Sequence, residues 1–142
     1  MKLCDYRILE YTTTELRTRG VPFVVVLRLQ SLQSYTLKGY VLRDWRKKIE
    51  ARSKSELEDV EIFLEDLRHR CRNQDSDTPL FVGLDRLSVG PIRAFVSGSC
   101  SIQDLDAAIQ TFFDDACGAS FWREHFDPLH DDDSRERGNG TY

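Results

Sequence analysis

The stretch Ser55 to Arg72, SELEDVEIFLEDLRHRCR, constrains this chain more than any other. Leu57, Val60, Leu64, Leu67 and Cys71 recur at three- and four-residue steps, which lines them along one face of an α-helix, with Phe63 at the edge. Ser55 followed by Glu58 has capping-box spacing. Acids fill the first turns (Glu56, Glu58, Asp59, Glu61) and bases the last (Arg68, Arg70, Arg72), an order that suits the helix dipole at both ends. One apolar face needs a layer to cover it, so the rest of the chain has to supply that layer.

The segments on either side supply strands. Leu3 to Thr13 carries Tyr6, Ile8, Leu9, Tyr11 and threonines, residues that suit a pleated surface. Val21 to Gln30, VPFVVVLRLQ, is the strongest β signal. Phe23, Val25, Leu27 and Leu29 share one side, yet Val24 and Val26 on the other are apolar too, the pattern of a central strand covered on both sides for part of its length. Pro22 sits near the start, where a missing N–H is tolerated. After Ser31 to Ser34, Tyr35 to Arg43 returns as a partner strand, and Asp44 to Lys54 is a basic link into the helix. Beyond the turn-rich Asn73 to Pro79, the segments Leu80 to Asp85 and Ile92 to Ser97 read as a hairpin around Ser88, Gly90 and Pro91. A second helix follows, with Ile102, Leu105, Ala108, Ile109, Phe112 and Ala116 as its apolar stripe, Ser101 and Asp104 at its start and Gly118 at its end.

The order β-β-β-α-β-β-α predicts an α+β fold: an antiparallel sheet of about five strands with two helices packed on one face. Residues 1–129 are expected to form a single domain. His130 to Tyr142, HDDDSRERGNGTY, has almost nothing to bury and is expected to be a mobile acidic and polar tail.

Composition narrows the class. The chain is 142 residues long, 40% hydrophobic and 31% charged, ordinary values for a globular protein. Asp5 and Arg7 interrupt the opening MKLCDYRILEY where a signal peptide needs an apolar run. The longest strictly apolar run, Val21 to Leu27, is too short to span a bilayer, so no membrane partner is expected. Cys4, Cys71, Cys100 and Cys117 form no C-x-x-C pair and read as free thiols, which places the protein in the cytoplasm. The net charge of −4 hides an asymmetry: residues 1–54 carry 12 Lys/Arg against 5 Asp/Glu, and residues 55–142 carry 8 against 19. The plainer account of that split is that basic strands and an acidic helix neutralise one another inside one fold.

Four groups of residues bear on function. The outer face of the Ser55–Arg72 helix places Ile62 among Glu58, Asp59, Glu65 and Asp66, opposite the apolar stripe. An anionic patch with an apolar centre suits a basic protein partner, although Glu65–Arg68 and Asp66–Arg70 spacings divert some of its charge. The second group is Arg43, Trp45, Arg46, Lys47, Lys48 and Arg52, a basic and aromatic mixture that suits nucleic acid; against it stand the acidic whole and a tryptophan placed to pack inward. The third is Ser97-Gly98-Ser99-Cys100-Ser101, read as a small-residue turn at a helix N-terminus that would lower the Cys100 thiol pKa, with no histidine placed beside it. The fourth, His125, Asp127, His130 and Asp131 to Asp133, offers metal-ligand atoms, but H-x4-H is not the i, i+4 spacing of helical zinc sites, and a solvated tail explains it as well. The expectation is therefore a non-catalytic protein-binding module without cofactor or metal, masking a basic partner surface as immunity proteins or dedicated chaperones do. Nucleic-acid binding through residues 43–54 is the alternative, and an enzyme using Cys100 comes third.

Overall fold

The computed structural model describes residues 3–12, 20–30, 35–49, 53–73, 88–89, 92–113 and 121–129. Among them, the strands are β1 (Leu3–Tyr11), β2 (Val21–Gln30), β3 (Tyr35–Leu42), β4 (Ser88–Val89), β5 (Ile92–Ser101) and β6 (Phe126–Pro128). The helices are α1 (Trp45–Lys48), α2 (Lys54–Asn73) and α3 (Leu105–Gln110), with 3-10 turns over Ile102–Asp104 and Trp122–His125. All six strands form one antiparallel sheet in the order β4-β5-β1-β2-β3-β6. The fold is the expected α+β type, with α1 and β6 as additions and with Ser88, expected in the hairpin turn, paired as part of β4. The candidate strand Leu80 to Asp85 and the segment 130–142 lie outside the described residues, as do Ala116, Gly118 and Arg52.

The register shows where the helices sit. Val26 pairs with Gly39 and Val25 with Tyr40, so adjacent residues of β2 and β3 mark the two faces of the sheet. On the Gly39 side, an added Cβ would lie 3.3 Å from Cys71 Sγ and 3.0 Å from Leu129 Cδ1, so α2 packs there. The missing side chain at Gly39 is what lets helix and sheet approach so closely. On the Tyr40 side, the Trp122 ring meets Tyr40 edge-on at 5.7 Å and stacks on Phe113 at 6.3 Å. The two helices therefore cover opposite faces, in place of the single shared face expected. Strand β2 supplies the reason: Val24, Val25, Val26 and Leu27 are all buried, so both of its sides need a cover. Each such side chain contributes about 1.5–3 kcal/mol when taken out of water.

The second helix is shorter than expected, and its buried side departs from the expected stripe only at the two ends. Its buried residues are Leu105 and Ile109, both in the expected stripe, and Phe113 is buried in the turn that follows, while Ile102 is exposed and Phe112 half-buried. The 3-10 start advances the chain by three residues per turn, which moves Ile102 out of phase with the α-helical part. Phe113, Trp122 and Phe126 then form an aromatic cluster against the sheet, with Phe113 and Phe126 at 5.1 Å.

Candidate functional site

Helix α2 is anchored at both ends, and that anchoring fixes what its outer face presents. The N-cap is Ser53, not Ser55: its Oγ accepts the Glu56 N–H at 3.1 Å and its carbonyl accepts the Leu57 N–H at 3.2 Å. The Glu56 carboxylate accepts a hydrogen bond from the Tyr11 hydroxyl, tying the first turn to β1. Near the other end, Arg68 Nε donates to the Leu129 carbonyl at 2.9 Å. Val60, Leu64 and Leu67 are buried between these anchors, and Cys71 is buried just beyond them. With one face held in this way, the opposite face of the helix is turned away from the sheet.

That face carries Glu58, Asp59, Ile62, Glu65 and Asp66, all exposed, and every one of the acids lies three or four positions from Ile62. Ile62 is 68% exposed, the most exposed large apolar side chain among the described residues. Glu65 pairs with Arg68, and Asp66 with Arg70 at 3.0 Å. Among the described residues, Glu58 and Asp59 have no ion-pair partner. The structure thus brings all five expected residues into one patch. It adds a neighbour that the sequence did not point to: Glu61 binds Arg46 at 2.7 Å, which joins the helix flank to the basic segment.

Part of the basic segment is tied into the fold. Asp44 turns β3 into α1 through a left-handed conformation (φ 59°), which puts Trp45 inward, only 8% exposed. The Arg46 guanidinium lies 4.7 Å from the Trp45 ring centroid while pairing with Glu61. Arg43 binds Asp127 at 3.1 Å, and the Asp127 carboxylate raises the guanidinium pKa further. Lys47 and Lys48 are exposed. Val41, Leu42, Arg43, Trp45, Lys47 and Asp127 help line an open cleft of about 380 Å³. These contacts also account for part of the charge asymmetry, since Arg43 and Arg46 each find an acid from the later half of the chain.

Cys100 does not sit in a turn. Ser97 to Ser101 is the end of β5, paired residue for residue with β1. The small side chains have a packing cause: a Cβ on Gly98 would lie 2.5 Å from the Tyr6 ring directly opposite. Burial pushes the Cys100 thiol above its ordinary value and Asp104 adds to this, the reverse of what a nucleophile needs. Of the candidate metal ligands, Asp127 is bound to Arg43 and His125 is half-buried, with Nε2 making no hydrogen bond. His130 and Asp131 to Asp133 lie outside the described residues.

No helix among the described residues is long and apolar enough to cross a membrane. Comparison with family models, with curated proteins and with solved structures gave no match to this chain.

Proposed function

We propose that this chain is a non-catalytic, cytoplasmic protein-binding module that uses the outer face of α2 to mask a basic surface on a partner protein. The observation that carries this is the exposure of Ile62 at the centre of four exposed acids on a rigidly anchored helix. An apolar centre inside a charged rim divides the work of binding. The rim acids raise the encounter rate with a basic surface, and the isoleucine supplies contact area that loses water on docking. The pairs Glu65–Arg68 and Asp66–Arg70 are solvent-exposed, and such pairs contribute only about 0–1 kcal/mol, so a partner's lysine or arginine can replace them at small cost. This is the action of an immunity protein or a dedicated chaperone: occlusion by surface complementarity, with no bond made or broken.

Nucleic-acid binding through residues 43–54 is the competing reading. The exposed Lys47 and Lys48 favour it and the burial of Trp45 weighs against it; the ion pairs of Arg43 and Arg46 are as exposed as those of the acidic patch and do not decide between the two. Affinity capture with three forms separates the two. A partner held by the wild type and by Lys47→Ala/Lys48→Ala, but lost with folded Ile62→Arg, is the expected result. A titration with labelled oligonucleotide at low salt that saturates with the wild type and fails with Lys47→Ala/Lys48→Ala would move the function to the basic segment.

A further inference from the structure

The sheet register sets two thiols opposite one another. Cys4 in β1 and Cys100 in β5 are direct partners in the antiparallel pairing. We propose that Cys4 and Cys100 form a redox site, oxidised by a low-molecular-weight disulfide of the glutathione type to a bond that staples β1 to β5. Facing residues of antiparallel strands share one side of the sheet and have Cα atoms about 4.5–5.5 Å apart. That separation falls within the range of about 4.4–6.8 Å that disulfides occupy. Cys71 has no such arrangement: it is buried on the other face, beside Gly39 and Leu129.

Access sets the order of events. Cys4 is fully buried and Cys100 half-buried, so the small disulfide meets Cys100 first. The Cys100 thiolate attacks one sulfur of the oxidant, expels one small thiolate and is left as a mixed disulfide. Cys4, as thiolate, then attacks the Cys100 sulfur and expels the second small thiolate. The protons lost by the two cysteines end on the two released thiolates. Two protein thiols are oxidised, and one disulfide is reduced to two thiols. Burial raises both thiols above their ordinary values, so little thiolate is present at neutral pH and the exchange is slow. Such a site follows a sustained redox poise and ignores a brief pulse. Facing Cβ atoms usually lie somewhat farther apart than a relaxed disulfide wants, so the strands are drawn together and the bond stays readily reducible.

The test is a thiol map of the folded wild-type chain equilibrated across a series of reduced-to-oxidised glutathione ratios, quenched by alkylation and digested with trypsin. The expected product is the Leu3–Arg7 peptide joined to the Ala94–Arg123 fragment, with intact mass lower by two hydrogens, full reversal by dithiothreitol, and Cys71 alkylated throughout. That fragment carries both Cys100 and Cys117, so fragmentation must place the bond at Cys100. The melting temperature of the oxidised form should be higher by several degrees. Cys4→Ser and Cys100→Ser should each lose the joined peptide; the wild-type map decides alone if either variant fails to fold. A stable glutathione adduct at Cys100 with Cys4 alkylated, a bond to Cys117 instead, linkage only in urea, or no oxidation at any ratio would overturn the proposal.

Discussion

A single methyl group added at Gly98 would land 2.5 Å from Tyr6 across the strand pair, closer than any real Cβ contact. Gly98→Ala should therefore cost about 1–3 kcal/mol in urea unfolding, the range for forcing bulk into a packed site. Combining it with Tyr6→Ala should give a double mutant more stable than the sum of the two losses, since the clash goes with the ring. Ile62→Arg should behave in the opposite way, changing stability by no more than about 0.5 kcal/mol because its side chain is mostly in solvent. A large loss there would put Ile62 in the core and remove the basis for the proposed binding face. At Cys4 the sign of a pH effect is fixed by burial, which, with Cys100 and Asp5 nearby, pushes the thiol from 9.0 up to about 12. In the unfolded chain the thiol ionises near its ordinary value, while the folded chain holds the proton. Its contribution is thus fully present below about pH 9 and is lost as pH rises towards 12. Thermal melts in reductant should show Cys4→Ala losing less stability than wild type over that window.

At the scale of elements, the cap of α2 gives the sharpest comparison. Ser53→Ala should cost about 1 kcal/mol by leaving the Glu56 N–H without its acceptor, while Ser55→Ala should change little. Sequence could not separate these two serines, because Ser53–Glu56 and Ser55–Glu58 have the same capping spacing. What was legible is what local pattern controls. Strand β2 has the expected bounds, Val21–Gln30, and the wheel of α2 correctly turned Ile62 outward. What was not legible depends on partners distant in the chain. The small residues of Ser97 to Ser101 mimic a turn until Tyr6 is set opposite them, and Cys100 resembles a helix-end thiol until Cys4 is. In the second helix Leu105 and Ile109 were legible from their spacing, whereas the exposure of Ile102 and the burial of Phe113 just past the helix end were not, because a 3-10 opening and an early stop carry no strong sequence mark. Even the two-sided apolar character of β2 was visible, yet only the register shows that a helical layer answers each side. Leu27→Ala tests that layer directly, with an expected loss of about 2–5 kcal/mol in denaturant unfolding.

For the whole molecule, the sheet order places the first strand in the middle, between β2, its neighbour in sequence, and β5, which comes much later. A chain ending at Asn73 keeps β1, β2, β3 and α2 but loses β5, which pairs with β1, and Phe113, Trp122 and Phe126, the aromatic cluster on the Tyr40 side of the sheet. It should fail to give a cooperative thermal transition or near-ultraviolet circular dichroism; a native-like melt would show that the later segments only decorate an independent unit. Distant pairing also predicts refolding in milliseconds to seconds by stopped-flow fluorescence, the pace of sheets built from non-local contacts. The same strand order has a consequence on the ribosome. The nascent chain presents β1, β2 and β3 long before β5 exists, with one edge of β1 open and ready to pair with any extended segment that passes. At roughly 5–20 residues per second, synthesis from Leu42 to Ser101 lasts on the order of 3–12 s. Throughout that interval the first strand, at the centre of the finished sheet, waits without its second neighbour.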